Sequence, residues 1–159
     1  MAYRVFVSYS TSNIQIAQWA IQSLSRPGIT EVFVAEYSLE PGAVINERIL
    51  AEIRACDVLI LLWSGAARQS DWVPQEIGAA RMAGKVIVPI VLEANLPVPG
   101  FISNVKYLRA YENWDGAFIA LRSFVDGQAM QAAQRQQAVV VLGLILGGIA
   151  LLSLDDRTS

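Results

Sequence analysis

The sequence predicts an α/β domain built on a parallel sheet with helices on both faces. Three observations carry this. Short apolar strands and amphipathic helical stretches alternate along the first ~125 residues, the pattern that βαβ units leave in a chain. The run Val58-Leu59-Ile60-Leu61-Leu62 is apolar at every position, as a central strand covered on both faces must be. Between Ile14 and Leu24, apolar residues fall at 14, 17, 20, 21 and 24, a stripe of helical period.

Tyr3-Arg4-Val5-Phe6-Val7-Ser8 reads as the opening buried strand, rich in β-branched and aromatic residues. Tyr9 to Asn13 is a polar loop with Ser12 placed as a helix cap, and Arg26-Pro27-Gly28 stops the first helix. Glu31 to Ala35 is a second strand, followed by the polar loop Glu36-Tyr37-Ser38-Leu39-Glu40-Pro41-Gly42. Ile45, Ile49 and Ile53 mark the next helix face, and Ala55-Cys56-Asp57 leads into the central strand.

Ser70-Asp71-Trp72-Val73-Pro74-Gln75-Glu76 then reads as a helix start. Ser70 is a good N-cap, Asp71 suits the positive end of the helix dipole, and Pro74 is tolerated in a first turn. Trp72 and Glu76 are four apart and share one helix face. An aromatic plate and a carboxylate on the C-terminal rim of a sheet suit a small-molecule site. The same residues also read plainly as a core tryptophan with a solvated glutamate.

The helix runs to about Ala83, with Gly84 as its stop, and Lys85 to Val91 is a fourth strand whose Pro89 suggests an irregular exit. Pro97 and Pro99 mark a loop, Val105 to Arg109 a short edge strand, and Trp114 to about Gln137 a final helix. Phe118, Leu121, Phe124 and Val125 are expected on its inner face, and no proline separates this helix from the apolar segment after it.

Composition narrows the chemistry. The chain of 159 residues has a net charge of −2 and no histidine, which removes the usual general base and the commonest metal ligand. Cys56 is the only cysteine, so neither an intrachain disulfide nor a multi-cysteine metal site can form. Basic residues are scattered and give no nucleic-acid footprint. Neither GxGxxG nor GxxxxGK[ST] occurs, nor a GxSxG elbow, and the third strand ends without a phosphoacceptor aspartate.

Gln136 to Leu154 contains no charged residue. Residues 138–154 span roughly 26 Å at ~1.5 Å rise each, close to a ~30 Å hydrocarbon core, and show no polar stripe. They are expected to form a single-pass membrane helix, after a connector at 127–137 and before a short tail at 155–159. Arg122 and Arg135 on the near side weakly keep the large domain, residues 1–126, cytoplasmic. Gly143 and Gly147 form a weak small-xxx-small pair.

Several blocks in order resemble the TIR (Toll/interleukin-1 receptor) domain family. Arg4-Val5-Phe6-Val7-Ser8-Tyr9-Ser10 is similar to its opening strand, and Phe33 to Gly42 to its second strand and BB loop. Cys56 to Ser64, Trp72 to Ile77 and Gly84 to Ile90 are similar to its later blocks, so that the likeness covers about Ala2 to Val125. The resemblance implies a flavodoxin-like, mostly parallel five-stranded sheet. In enzymatic members it implies cleavage of NAD+, as substrate rather than cofactor, between nicotinamide and ribose.

The family's catalytic glutamate falls on Glu76 and its tryptophan on Trp72. One carboxylate suffices, because it steadies the oxocarbenium ion and nicotinamide leaves as a neutral molecule. Ser8, Tyr9 and Ser10 match nucleotide-facing positions, and Trp63 is a candidate stacking residue. Many enzymatic relatives carry a basic residue after the first strand, whereas Ser10 and Thr11 stand here. Glu36 to Gly42 is implied to insert into a neighbouring TIR domain; otherwise it is an ordinary strand–helix connection. Asp57 and Cys56 read as local structure.

The expectation is therefore a membrane-tethered NAD+ glycohydrolase or cyclase, switched on by TIR self-association and serving antiphage defence or cell suicide, with a separate protein sensing the trigger. No metal and no nucleic-acid partner is expected. Two alternatives stay open: a non-catalytic TIR adaptor that recruits other TIR domains, and an effector that mimics host TIR signalling.

Overall fold

The computed structural model describes residues 1–34 and 47–155, with side chains described through Leu142 apart from residue 101. The expected loop Glu36–Gly42 lies outside the described residues. Five strands form one sheet: β1 (Tyr3–Ser8), β2 (Thr30–Val34), β3 (Val58–Trp63), β4 (Val86–Val91) and β5 (Leu108–Arg109). Their spatial order is β2-β1-β3-β4-β5, and every pairing is parallel. This is the flavodoxin-like order, in which the chain reverses its direction of winding between β1 and β3.

Helices α1 (Ile14–Leu24) and α5 (Trp114–Asp155) cover one face. There Val5, Val7, Val58, Ile60 and Leu62 meet Ala17, Leu24, Phe118, Leu121 and Val125. Helices α2 (Glu47–Ala55), α3 (Gly65–Gln69) and α4 (Val73–Met82) cover the other. On that side Phe6, Leu59, Leu61 and Trp63 meet Ile49, Ile53, Ala67, Val73 and Ile77. Burying the continuous apolar strand β3 on both faces satisfies its composition; all six of its residues are buried. Phe118, Leu121 and Val125 are buried as expected, while Phe124 packs part-exposed at the edge of the same core.

Asp57 fixes the start of the β1–β3 pairing. Its carboxylate accepts from the Arg4 N–H at 2.7 Å, and its own N–H donates to the Arg4 carbonyl at 2.8 Å. Gly84, at φ +66°, ends α4 in the left-handed region that only glycine enters cheaply.

Several boundaries differ from expectation. The first helix is not capped by Ser12: a 3₁₀ turn at Thr11–Asn13 runs straight into α1, with no side-chain cap from Ser10 or Asn13. The helix expected from Ser70 is preceded by a separate short helix, α3. Pro89 does not spoil β4, which pairs with β3 in unbroken register from Val86 to Val91. The Leu92 N–H points at the Trp63 carbonyl, so alternation turns the proline nitrogen toward β5. Pairing there begins only at Ile90, so no ladder hydrogen bond is lost.

The final helix is one element of 42 residues, with no break at 126, 137 or 138. Among the described residues, no helix is long and apolar enough to cross a membrane. The expected crossing falls mainly on residues 143–154, whose side chains are outside the description.

Candidate functional site

In open parallel sheets, the crevice for ligands lies beyond the C-terminal strand ends, where strand order reverses. Here that point is the gap between the ends of β1 and β3. Ser8 closes β1, opposite Leu61 of β3. Strand alternation sends Phe6 and Ser8 toward the α2–α4 face, and Val7 and Tyr9 toward the α1–α5 face. Ser8 therefore meets α4. Its hydroxyl donates to Glu76 Oε2 at 2.5 Å, and both side chains are fully buried.

Glu76 lies in the first turn of α4, where the helix dipole favours an acid. Its N–H donates to the Trp72 carbonyl at 3.0 Å, so the half-buried Trp72 precedes it by one turn on the same side. Ser70 supports that turn without being the residue next to the helix. Its Oγ accepts from the N–H groups of Trp72 and Val73 at 3.2 and 3.4 Å. A carboxyl group wholly removed from water requires hydrogen-bonded partners, and Ser8 supplies one.

The other expected site residues are not all brought to Glu76. Tyr9, 3% exposed, belongs to the core on the opposite face of the sheet. Ser10 is buried at the mouth of the first loop, where its carbonyl accepts from Asn13 N–H at 2.7 Å. Trp63 presents no open face for stacking. It is 2% exposed within the α2–α4 core, and its indole N–H donates to the Pro97 carbonyl at 3.0 Å. Its role in the fold is to hold down the loop that follows β4.

Sequence reasoning missed what surrounds Trp63. Three consecutive residues at the exit of β3 each tie a different segment. Trp63 binds Pro97; the Ser64 hydroxyl donates to Asn13 Oδ1 at 2.7 Å; and the Gly65 N–H donates to Glu93 Oε1 at 3.0 Å. Ser64 also caps α3, accepting from Ala67 N–H at 3.0 Å. A serine directly after an apolar strand is a helix-start signal that would have revealed α3. Nothing local could have revealed Asn13 or Glu93 as partners.

Cys56 is away from this rim, at the opposite end of β3. Its thiol is buried, donates to the Ile53 carbonyl at 3.1 Å, and is pushed by burial up to about 11. Two clefts also lie elsewhere. One of about 690 Å³ flanks β5, lined by Lys106, Tyr107, Arg109 and Asn113; one of about 160 Å³ lies among Arg4, Phe33, Arg48 and Cys56. Neither is lined by Ser8 or Glu76. Among the described residues, no group of three or more His, Cys, Asp or Glu is arranged to hold a metal ion.

A doubly wound parallel domain with a buried carboxylate at its switch point defines the class. Residues 5–122 match the TIR domain family, and the chain belongs to it. The TIR domain of the Toll-related receptor TRR-2 from the lower metazoan Hydra magnipapillata has a similar fold. It gives a TM-score of 0.58 at 20% identity, over 76% of this chain and 96% of that one. A prokaryotic SEFIR domain is similar at a TM-score of 0.55 and 18% identity, over 78% of this chain and 99% of that one. No curated protein matches the chain.

Proposed function

We propose that this chain is an NAD+-cleaving TIR enzyme with Glu76 as its catalytic carboxylate. The observation that carries the reading is the Ser8–Glu76 pair, buried at the β1/β3 switch point. Burying a carboxyl group costs several kcal/mol unless its environment compensates. A domain that serves only as a scaffold has no need to place one where a parallel sheet binds ligands.

The chemistry follows from one acid. With the ribose hydroxyls taking the place of Ser8 as donors, Glu76 holds the sugar and faces the developing positive charge on C1′. The bond from C1′ to the pyridinium nitrogen breaks, and its electron pair neutralises that nitrogen, so nicotinamide departs without protonation. Water then adds to C1′ and gives up a proton, with Glu76 as its first acceptor, leaving ADP-ribose. An internal nucleophile of the same nucleotide would give a cyclic product instead.

Membrane tethering belongs to the same proposal. Val139, Val140, Val141 and Leu142 are 53–68% exposed on successive positions of α5. At 100° per residue they make the helix apolar around most of its circumference, as a segment meant for lipid would be. TIR domains associate with one another, and a tethered domain would be concentrated for that step. We assign the contact to Glu36–Gly42, and the whole to antiphage defence or cell suicide.

The adaptor reading is favoured by one feature of the same pair. A glutamate that is fully buried and already hydrogen-bonded to Ser8 is also what a purely structural carboxylate looks like. NAD+ loss, with product identification by mass, separates the two for the detergent-solubilised full chain beside Glu76→Gln. Turnover in the parent that vanishes in the folded variant supports the enzyme. No turnover in either, even on crowded liposomes, leaves the adaptor.

A further inference from the structure

The last helix fixes which end of the domain a membrane would meet. It starts at Trp114, on the C-terminal rim of the sheet, and runs against the strands. Its Asp126 accepts from Arg26, in the turn just ahead of β2, at 2.9 Å. Ten residues on, Gln136 accepts from Met1, ahead of β1, at 3.0 Å. The helix thus leaves past the starts of the strands, at the end of the domain opposite Ser8 and Glu76. Among the described residues, Ala132 is the last of α5 to pack on the core. From there to residue 138, where the apolar segment begins, is about 9 Å of unbroken helix. The headgroup layer on each side of a hydrocarbon core is about 5–7 Å thick. A domain held this close brings its strand-start end down to the headgroups.

That end has the composition for such a place. Ile29, just before β2, Met82, the last residue of α4, and Val86, the first of β4, are 50%, 92% and 55% exposed. Arg54 and Arg81 stand beside them in the last turns of α2 and α4, and Lys85 precedes Val86. None of these three cations is in an ion pair among the described residues. Asp57 and Asp126, acids of the same end, are engaged: one accepts from Arg4 N–H, the other pairs with Arg26. Exposed Glu31 lies on β2, separated from β4 by two strands. Apolar tips set among cations are what the interface of an anionic bilayer takes up.

We propose that this strand-start end is a docking surface for an anionic phospholipid bilayer. Ile29, Met82 and Val86 enter the headgroup layer, while Arg54, Arg81 and Lys85 meet the lipid phosphates and carboxylates. The inference rests on the membrane-tethering reading, since α5 is what brings this end to a bilayer. It also sets the domain upright. The six residues of β1 span about 20 Å, so the Ser8–Glu76 end stands clear of the membrane and faces the side from which a soluble nucleotide arrives.

The test uses the full chain with Cys56→Ala, reconstituted in vesicles of phosphatidylcholine alone or mixed with phosphatidylserine. An environment-sensitive fluorophore is attached at Met82→Cys and, separately, at Gln69→Cys, an exposed position at the end of α3. On phosphatidylserine vesicles the emission shifts to the blue at position 82 and stays unmoved at position 69. Arg54→Gln, Arg81→Gln and Lys85→Gln together lower the docked-to-free ratio on the order of a hundredfold, about fivefold per cation, without releasing the chain from the vesicles. If Cys56→Ala does not fold, amide exchange of the parent decides: it slows at residues 26–29 and 82–86 on phosphatidylserine vesicles relative to detergent. An embedded chain with no shift at position 82, a shift at position 69 instead, or an equal shift on phosphatidylcholine alone overturns the docking surface and leaves the tether intact. A chain that alkaline carbonate strips from the vesicles overturns the tethering reading, and this inference with it.

Discussion

The hydroxyl of Ser8 donates to Oε2 of Glu76 across 2.5 Å, joining the end of β1 to the first turn of α4. The two residues are 68 apart in sequence, and neither is exposed. Removing the donor by Ser8→Ala should destabilise the domain by about 1–3 kcal/mol, the range for depriving a buried acceptor of a partner. Urea unfolding checks this. Glu76→Gln keeps an oxygen that accepts from Ser8, so stability should change less. On the enzyme reading, NAD+ cleavage in that variant should fall by about 10²–10³, as when one preorganised electrostatic contact is lost.

Trp63→Phe separates the two roles open to this side chain. The substitution keeps an aromatic ring in the core but deletes the N–H that binds the Pro97 carbonyl. A cost of about 1–2 kcal/mol is expected, with faster amide exchange through residues 93–98 and unchanged protection in β3. Unchanged exchange in that loop would show that the indole N–H does not tether it.

These residues show what can be read from the chain and what cannot. The bounds of β1 and α1 are legible because an apolar run buried on both faces and a helical stripe are local patterns. The shared side of Trp72 and Glu76 is legible because helical spacing dictates it. Alternation also forbids Ser8 and Tyr9 from facing one ligand in an extended strand, which a motif match does not register. Helix α3 is five residues long, too short for periodicity to reveal. Trp63 reads as a stacking candidate because its covering partner, Pro97, lies 34 residues away. Pro89 reads as a disruption because nothing local says that the strand on its donor side starts one residue later. The Asn13–Ser64 contact spans 51 residues and has no local signature.

Gly65 and Glu93 should be energetically coupled. A Cβ at Gly65 would lie 3.1 Å from Glu93 Oε2, while the Gly65 N–H binds Oε1. Gly65→Ala should therefore cost about 0.5–1 kcal/mol, the carboxylate being pushed off its donor at an exposed position. In a Glu93→Ala background the same change should become neutral or stabilising, since alanine restricts the unfolded chain. A double-mutant cycle measured by chemical denaturation checks this; strict additivity would show that the contact carries no energy.

Alkaline pH should weaken the fold through the opposite end of the sheet. Burial, reinforced by Asp57 and Cys56, pushes the Tyr3 phenol from 10.0 up to about 12. Burial is also the main cause that raises the Cys56 thiol from 9.0 to about 11, with Lys85 opposing it. Both groups hold their protons more tightly folded than unfolded, so the unfolded chain deprotonates first and gains stability relative to the native state. Their contribution is complete below about pH 9 and is lost as pH rises through 11 to 12. Urea midpoints measured from about pH 8 to about pH 11.5 should fall across this window. Tyr3→Phe and Cys56→Ala should each flatten the decline, because each removes one of the titrating protons. A parent profile as flat as that of the double variant would rule out both groups as its source.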